Sequence, residues 1–129
     1  MQMKASLPIL CLALLLTACP DEETRQSELK KFEYYSGVQN ATAICIVKLK
    51  HEDEFESFAG SAADFNRRNS DFITKLAADI LVSPPSQTEK NAFNAAALQY
   101  AYELIGSKHP TKRECMDFAK RLEKKELDL

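Results

Sequence analysis

The sequence predicts an all-α fold, a small four-helix bundle, and three observations carry that expectation. Apolar residues recur at spacings of three and four, Ser/Thr-x-x-Asp/Glu patterns stand at three of the breaks between apolar runs, and proline or glycine punctuates those breaks. Only Ile44-Cys45-Ile46-Val47 is β-branched enough to suggest a strand, and a helical stripe continues on both sides of it.

The first helix is expected over residues 28–50, with Phe32, Tyr35, Val38, Thr42, Cys45 and Leu49 along one face and Gly37 marking a bend or a close packing contact. Gly60 closes a polar connector. Ser61-x-x-Asp64 then opens a second helix as a capping box, in which the hydroxyl accepts from the third backbone N–H and the carboxylate reaches back. Its inner face is Phe65, Phe72, Leu76 and Ile80, and Pro84-Pro85 ends it because proline lacks the amide donor and restrains its predecessor. Ser86-x-x-Glu89 starts a third helix with Phe93, Ala96, Ala97, Tyr100, Leu104 and Ile105 inward. Ala95-Ala96-Ala97 allows close helix approach, and Gly106 stops the helix. Thr111-x-x-Glu114, after Pro110, opens a fourth with Cys115, Phe118, Ala119 and Leu122 inward.

Before the bundle lies a leader of a different kind. Lys4 precedes an apolar run over residues 7–16, and the small residues Thr17 and Ala18 close it, which is the three-part layout of an export signal. The run falls short of the roughly 20 apolar residues of a spanning helix. Leu16-Thr17-Ala18-Cys19 resembles the lipobox of bacterial lipoproteins. That resemblance implies a diacylglycerol thioether on Cys19, cleavage of residues 1–18 and acylation of the new amino group, with an ordinary signal and an incidental Cys19 as the competing reading. Acyl chains contribute about 0.8 kcal/mol per buried methylene, so several of them anchor a protein firmly. Residues 19–27 read as a polar, lipidated tether and residues 28–129 as the bundle domain. The implied localisation is the bacterial cell envelope, lipid-anchored and facing the periplasm. Pro20 and Asp21 beside the cysteine are of the kind associated with inner-membrane retention in enteric lipoproteins, and the choice between inner and outer membrane stays open.

The resemblance also decides the cysteines. Of the 4 in the chain, Cys11 leaves with the leader and Cys19 carries lipid, so Cys45 and Cys115 are the pair left to bridge in an oxidising compartment. On the chain-entropy model a loop of about 70 residues is worth about 4 kcal/mol. In an up-down-up-down bundle both cysteines fall roughly 6 to 8 Å from the same end, which agrees with the pairing. The alternative, a reactive or metal-binding cysteine, lacks a CxxC partner or an adjacent histidine.

Removal of the leader takes the 129-residue chain to 111 residues with 16 basic and 19 acidic side chains, a net charge of −3. That balance argues against a nucleic-acid binder and against a polybasic membrane-surface module. No catalytic constellation, cofactor motif or metal site is expected. His51 stands among carboxylates without i, i+4 ligand spacing, His109 precedes Pro110 in a turn, and there is no Gly-rich phosphate loop or Gly-x-Ser-x-Gly elbow. The candidate site is instead aromatic. Phe32, Tyr34 and Tyr35 crowd one helical turn near the tether, more than one helix face can bury, so an exposed member, Tyr34 foremost, is a candidate partner anchor; Tyr102 is a second. The opposing reading is that all of them pack internally.

Lipid anchor, small helical domain and one bridge between early and late helices together resemble helical secretion pilotins, which bind a segment of a secretin subunit and carry it to the outer membrane. The arrangement is also similar to small periplasmic immunity lipoproteins and, more loosely, to entry-exclusion lipoproteins. These resemblances rest on architecture and transfer no functional residues. They imply a non-enzymatic protein-binding module whose partners are the bilayer, through Cys19, and an envelope or secreted protein. Apolar anchors of a partner helix would fill a groove of the bundle. A structural role in the envelope is the third alternative.

Overall fold

Three of the four helices begin on a side-chain cap. The computed structural model describes residues 21–129 as α1 (Glu22–Leu49), α2 (Phe55–Leu81), α3 (Gln87–Ile105) and α4 (Lys112–Glu123), with no strand among the described residues. The all-α bundle is therefore as expected. The leader over residues 1–18 and the acceptor Cys19 lie outside the described residues. Ser86 and Thr111 form complete capping boxes with Glu89 and Glu114, and Gly106, at φ 94°, ends α3 with its N–H donating to the Tyr102 carbonyl at 2.7 Å.

The first two helices start earlier than expected. α1 begins at Glu22, so the polar segment read as tether supplies its cap and opening turns. The Asp21 carboxylate accepts from the Thr24 N–H at 3.4 Å, and Glu22 and Glu23 in the first turn complement the helix dipole. α2 begins at Phe55, and Ser61 caps nothing. It is buried one and a half turns inside the helix, its hydroxyl 3.2 Å from the Ser57 carbonyl and 3.1 Å from Glu123 Oε1, to either of which it donates. Asp64 pairs with Arg67 at 2.8 Å instead of reaching back. The early start is set by Phe58, which is wholly buried. Gly60 lies inside α2 and faces open space, so no packing contact requires a glycine there, and it carries a helix penalty of about 1 kcal/mol.

α1 packs on all three other helices, most extensively on α3, while α2 and α3, though consecutive, do not come together along their lengths. The α1 to α3 contact is closest at Gly37. A β-carbon there would lie 2.5 Å from Tyr100 Cβ and 3.1 Å from the Ala97 carbonyl, so Gly37 marks close packing. At 1.5 Å per residue α1 is about 42 Å long and α4 about 18 Å. α4 therefore covers only one end of the bundle. At that end Val38, Cys45, Leu49, Phe58, Phe65, Cys115, Phe118 and Leu122 form the main core, and Cys45 and Cys115 are bridged with Cα atoms 5.5 Å apart. At the other end a small separate cluster of Leu29, Leu76 and Ile80 joins α1 to α2. Phe72, expected inward, is exposed; the buried stripe of α2 runs through Phe65, Asn69 and Leu76 and passes it by.

The residues after α4 close the main core. Leu127 is buried, and Lys125 adopts φ 62° in the turn before it. The Arg68 guanidinium donates to both Asp128 carboxylate oxygens, at 2.9 and 3.0 Å, and to the Leu122 carbonyl at 3.0 Å. The buried Asn69 donates to the Phe65 carbonyl and accepts from the Leu129 N–H at 2.9 Å.

Candidate functional site

Because α4 stops short, the end of the bundle where α1 begins is walled by three helices only. A cleft of about 260 Å³ opens there, lined by Leu29 and Phe32 of α1, Ile80 of α2, Pro85 of the connection, and Lys90, Phe93 and Asn94 of α3. Five of these seven residues are apolar, with one cation and one amide at the mouth. The volume is below the roughly 300–1,000 Å³ of small-molecule pockets, so it fits one or two side chains better than a cofactor.

The walls are held by a polar latch. Arg25, from the second turn of α1, donates through Nη1 and Nη2 to the two Glu89 carboxylate oxygens at 2.9 and 3.1 Å and through Nε to the Ser83 carbonyl at 3.4 Å. Glu89 also accepts the Ser86 N–H at 3.0 Å, so one carboxylate both caps α3 and pins it to α1. The hydrogen bonds from Arg25, then that from the Ser86 N–H, hold the Glu89 carboxyl at about 2, well below its ordinary value. Nearby, the Glu28 carboxyl is raised, first by desolvation and then by its hydrogen bond and charge interaction with Asp79 of α2.

The four aromatic candidates separate. Phe32 lies in the cleft wall, tilted against Phe93 with ring centroids 5.5 Å apart and stacked on Tyr35 at 6.3 Å; Tyr35 in turn stacks on Phe65 at 6.3 Å. An aromatic ladder thus runs from the cleft into the core. Tyr34 points elsewhere and is not an exposed anchor. Its ring meets Tyr100 edge-on at 6.1 Å, its hydroxyl donates to the Leu127 carbonyl at 3.3 Å, and burial pushes its phenol above the ordinary value. The helix turn at residues 32–35 therefore serves two different contacts. Tyr102 is half-buried, with Lys108 Nζ 5.7 Å from its ring centroid, and belongs to neither.

Cys45 and Cys115 are sealed in the core at the opposite end, and Cys19 lies outside the described residues. His51 and His109 are both exposed, and no group of three His, Cys, Asp or Glu side chains able to hold a metal occurs among the described residues. Leu29 and Pro85 were not singled out from sequence as site residues. Leu29 stands one turn before Phe32, a helical spacing that places it on the same face, but it falls at the very start of the expected first helix, ahead of the apolar stripe that begins at Phe32. Two further apolar side chains, Leu81 and Val82, follow Ile80 and stand 68% and 67% exposed. No protein-family model, curated protein or solved structure matches the chain.

Proposed function

We propose that this chain is a lipid-anchored module of the bacterial cell envelope that binds another protein and catalyses no reaction, in the manner of a pilotin that escorts a secretion subunit. The observation that carries this reading is the apolar cleft at the three-helix end, whose Leu29, Phe32, Ile80 and Phe93 walls suit the anchor side chains of an amphipathic partner helix. The lipobox-like Leu16-Thr17-Ala18-Cys19 supports the anchor, and the Cys45–Cys115 bridge agrees with an oxidising compartment.

The test is site-specific photocrosslinking in intact cells from position Phe93 in the cleft and, as control, from Val47, 66% exposed and near the far end of α1. Position 93 should capture one discrete envelope protein, and position 47 should not. Phe93→Lys should weaken capture by about tenfold or more, the scale of a hot spot of 1 to 2 kcal/mol, measured well below the variant's melting temperature because loss of the Phe32 contact also lowers stability. His51→Ala and His109→Ala should leave capture intact. Equal capture from both positions would defeat the cleft reading, and a delivered toxin or conjugation protein in the crosslink would reassign the module to immunity or exclusion. Fatty-acid analogue labelling should mark wild type and not Cys19→Ser; equal labelling would remove the anchor.

A further inference from the structure

From the position of Leu81 and Val82 we infer that the bundle itself docks on the bilayer, with these two side chains dipping into the lipid interface beside the anchor. The inference rests on the lipid anchor at Cys19 proposed above. Leu81 and Val82 are the two most exposed large apolar side chains among the described residues, and they are adjacent at the end of α2. Their place is fixed relative to the start of α1, because Arg25 holds the carbonyl of Ser83, the next residue, at 3.4 Å.

The chain length to the anchor then sets the distance to the membrane. Cys19 is two residues before Asp21, a span of at most about 7 Å even when fully extended. Asp21 is one helical turn, about 6 Å, before Arg25. With the reach of the Arg25 side chain and its 3.4 Å contact to the Ser83 carbonyl included, a lipid on Cys19 keeps the Leu81-Val82 tip within about 30 Å of the acylated atom, whatever the tilt of α1. Tethering makes the contact intramolecular, so a surface of only two aliphatic side chains is populated without high intrinsic affinity. Val47, comparably exposed, lies near the opposite end of α1 and is out of reach. Asp21, Glu22 and Glu23 follow Cys19 closely in the chain, so a zwitterionic surface is the matching partner and an anionic one is repelled.

The experiment uses the full lipidated protein reconstituted in phosphatidylcholine vesicles, with an environment-sensitive fluorophore on Val82→Cys or Val47→Cys. Cys45 and Cys115 are bridged and Cys19 is acylated, so the introduced thiol is the reactive one. With the protein floating on the vesicles, the label at position 82 is expected to shift to shorter emission wavelength, to lose quenching by aqueous iodide and to be quenched by a nitroxide-bearing lipid. The label at 47 should do none of these. Flotation with position 82 as open to iodide as position 47 would overturn the docking while leaving the anchor standing. Failure to float would remove the anchor and the inference with it. Shielding of position 82 in vesicle-free Cys19→Ser protein would assign the tip to a second copy of the chain and overturn the bilayer as its partner.

Discussion

At the end of the bundle where α1 finishes and α4 begins, four helices meet around Cys45, Leu49, Phe58, Cys115, Phe118 and Leu122, all sealed from solvent and tied by a disulfide. At the end where α1 begins, three helices leave a cleft, the buried cluster shrinks to Leu29, Leu76 and Ile80, and an ion pair at the surface does the fastening. The closed, bridged core and the proposed recognition cleft thus lie at opposite ends. A covalent bridge and closed core at one end let the other keep apolar surface uncovered, and the aromatic ladder from Phe93 through Phe32 and Tyr35 to Phe65 connects the two.

The contrast is broken most severely by removing the bridge. Cys45→Ser and Cys115→Ser should each cost about 2 to 5 kcal/mol in denaturant unfolding, because the loop they close spans 70 residues. The double variant should be no worse than either single one. Free thiols at both positions in protein purified without reductant would contradict the pairing.

The same contrast marks where sequence reasoning works on this chain. α3 and α4 were legible from local chemistry, since Ser86 with Glu89 and Thr111 with Glu114 make the caps their spacing implies. The bridge was legible from counting cysteines on the reading that sets Cys11 and Cys19 aside. The starts of α1 and α2 were not, because tertiary contacts decide them: Arg25 meets Glu89, 64 residues away, and Phe58 is buried against Phe118. Ser61 shows the limit directly, as a capping pattern overridden by a core aromatic three residues before it. The site was half legible. Phe32 belongs to it, but Tyr34 and Tyr35 differ by the 100° between successive helix positions, and only the position of residues 127–129 shows that Tyr34 is taken by the closing turn.

Between the two ends sits Gly37, and it tests whether they are mechanically joined. Gly37→Ala gains about 1 kcal/mol of helix propensity but brings a methyl against Tyr100 Cβ, which cannot yield without moving α3. Overpacking of this kind costs about 1 to 3 kcal/mol, so a net loss of stability is expected, larger for Gly37→Leu. The displacement of α3 should also reduce crosslinking from position 93. A Gly37→Leu protein with unchanged melting temperature and unchanged capture would show that the ends are independent.

The smallest effects lie in the latch, and they sharpen the comparison through their signs. The folded-state pKa of Glu89 is depressed to about 2 from an ordinary 4.5, so the folded state holds its ionised form more tightly than the unfolded state does. That contribution is fully present above about pH 4.5 and is lost as the pH falls toward 2. Glu89→Gln should therefore melt below wild type at pH 7, with the gap closing on acidification. Glu28 works in the opposite direction. Its carboxyl is raised, so ionisation at neutral pH disfavours the folded state, and that penalty vanishes once the pH drops below the ordinary carboxyl value of 4.5. Glu28→Gln keeps a donor for Asp79 without the charge, and it should melt slightly above wild type at pH 7 and level with it at pH 3. Two single-atom changes at one end of the molecule should thus shift the melting curve in opposite senses at neutral pH and converge in acid. Neither change should alter the response of the far end to reductant, since the bridged core is separated from the latch by most of the length of α1. If Glu28→Gln instead lowered stability at pH 7, the open end would be held by that carboxylate, and the division between a fastened end and a loosely latched one would have to be redrawn.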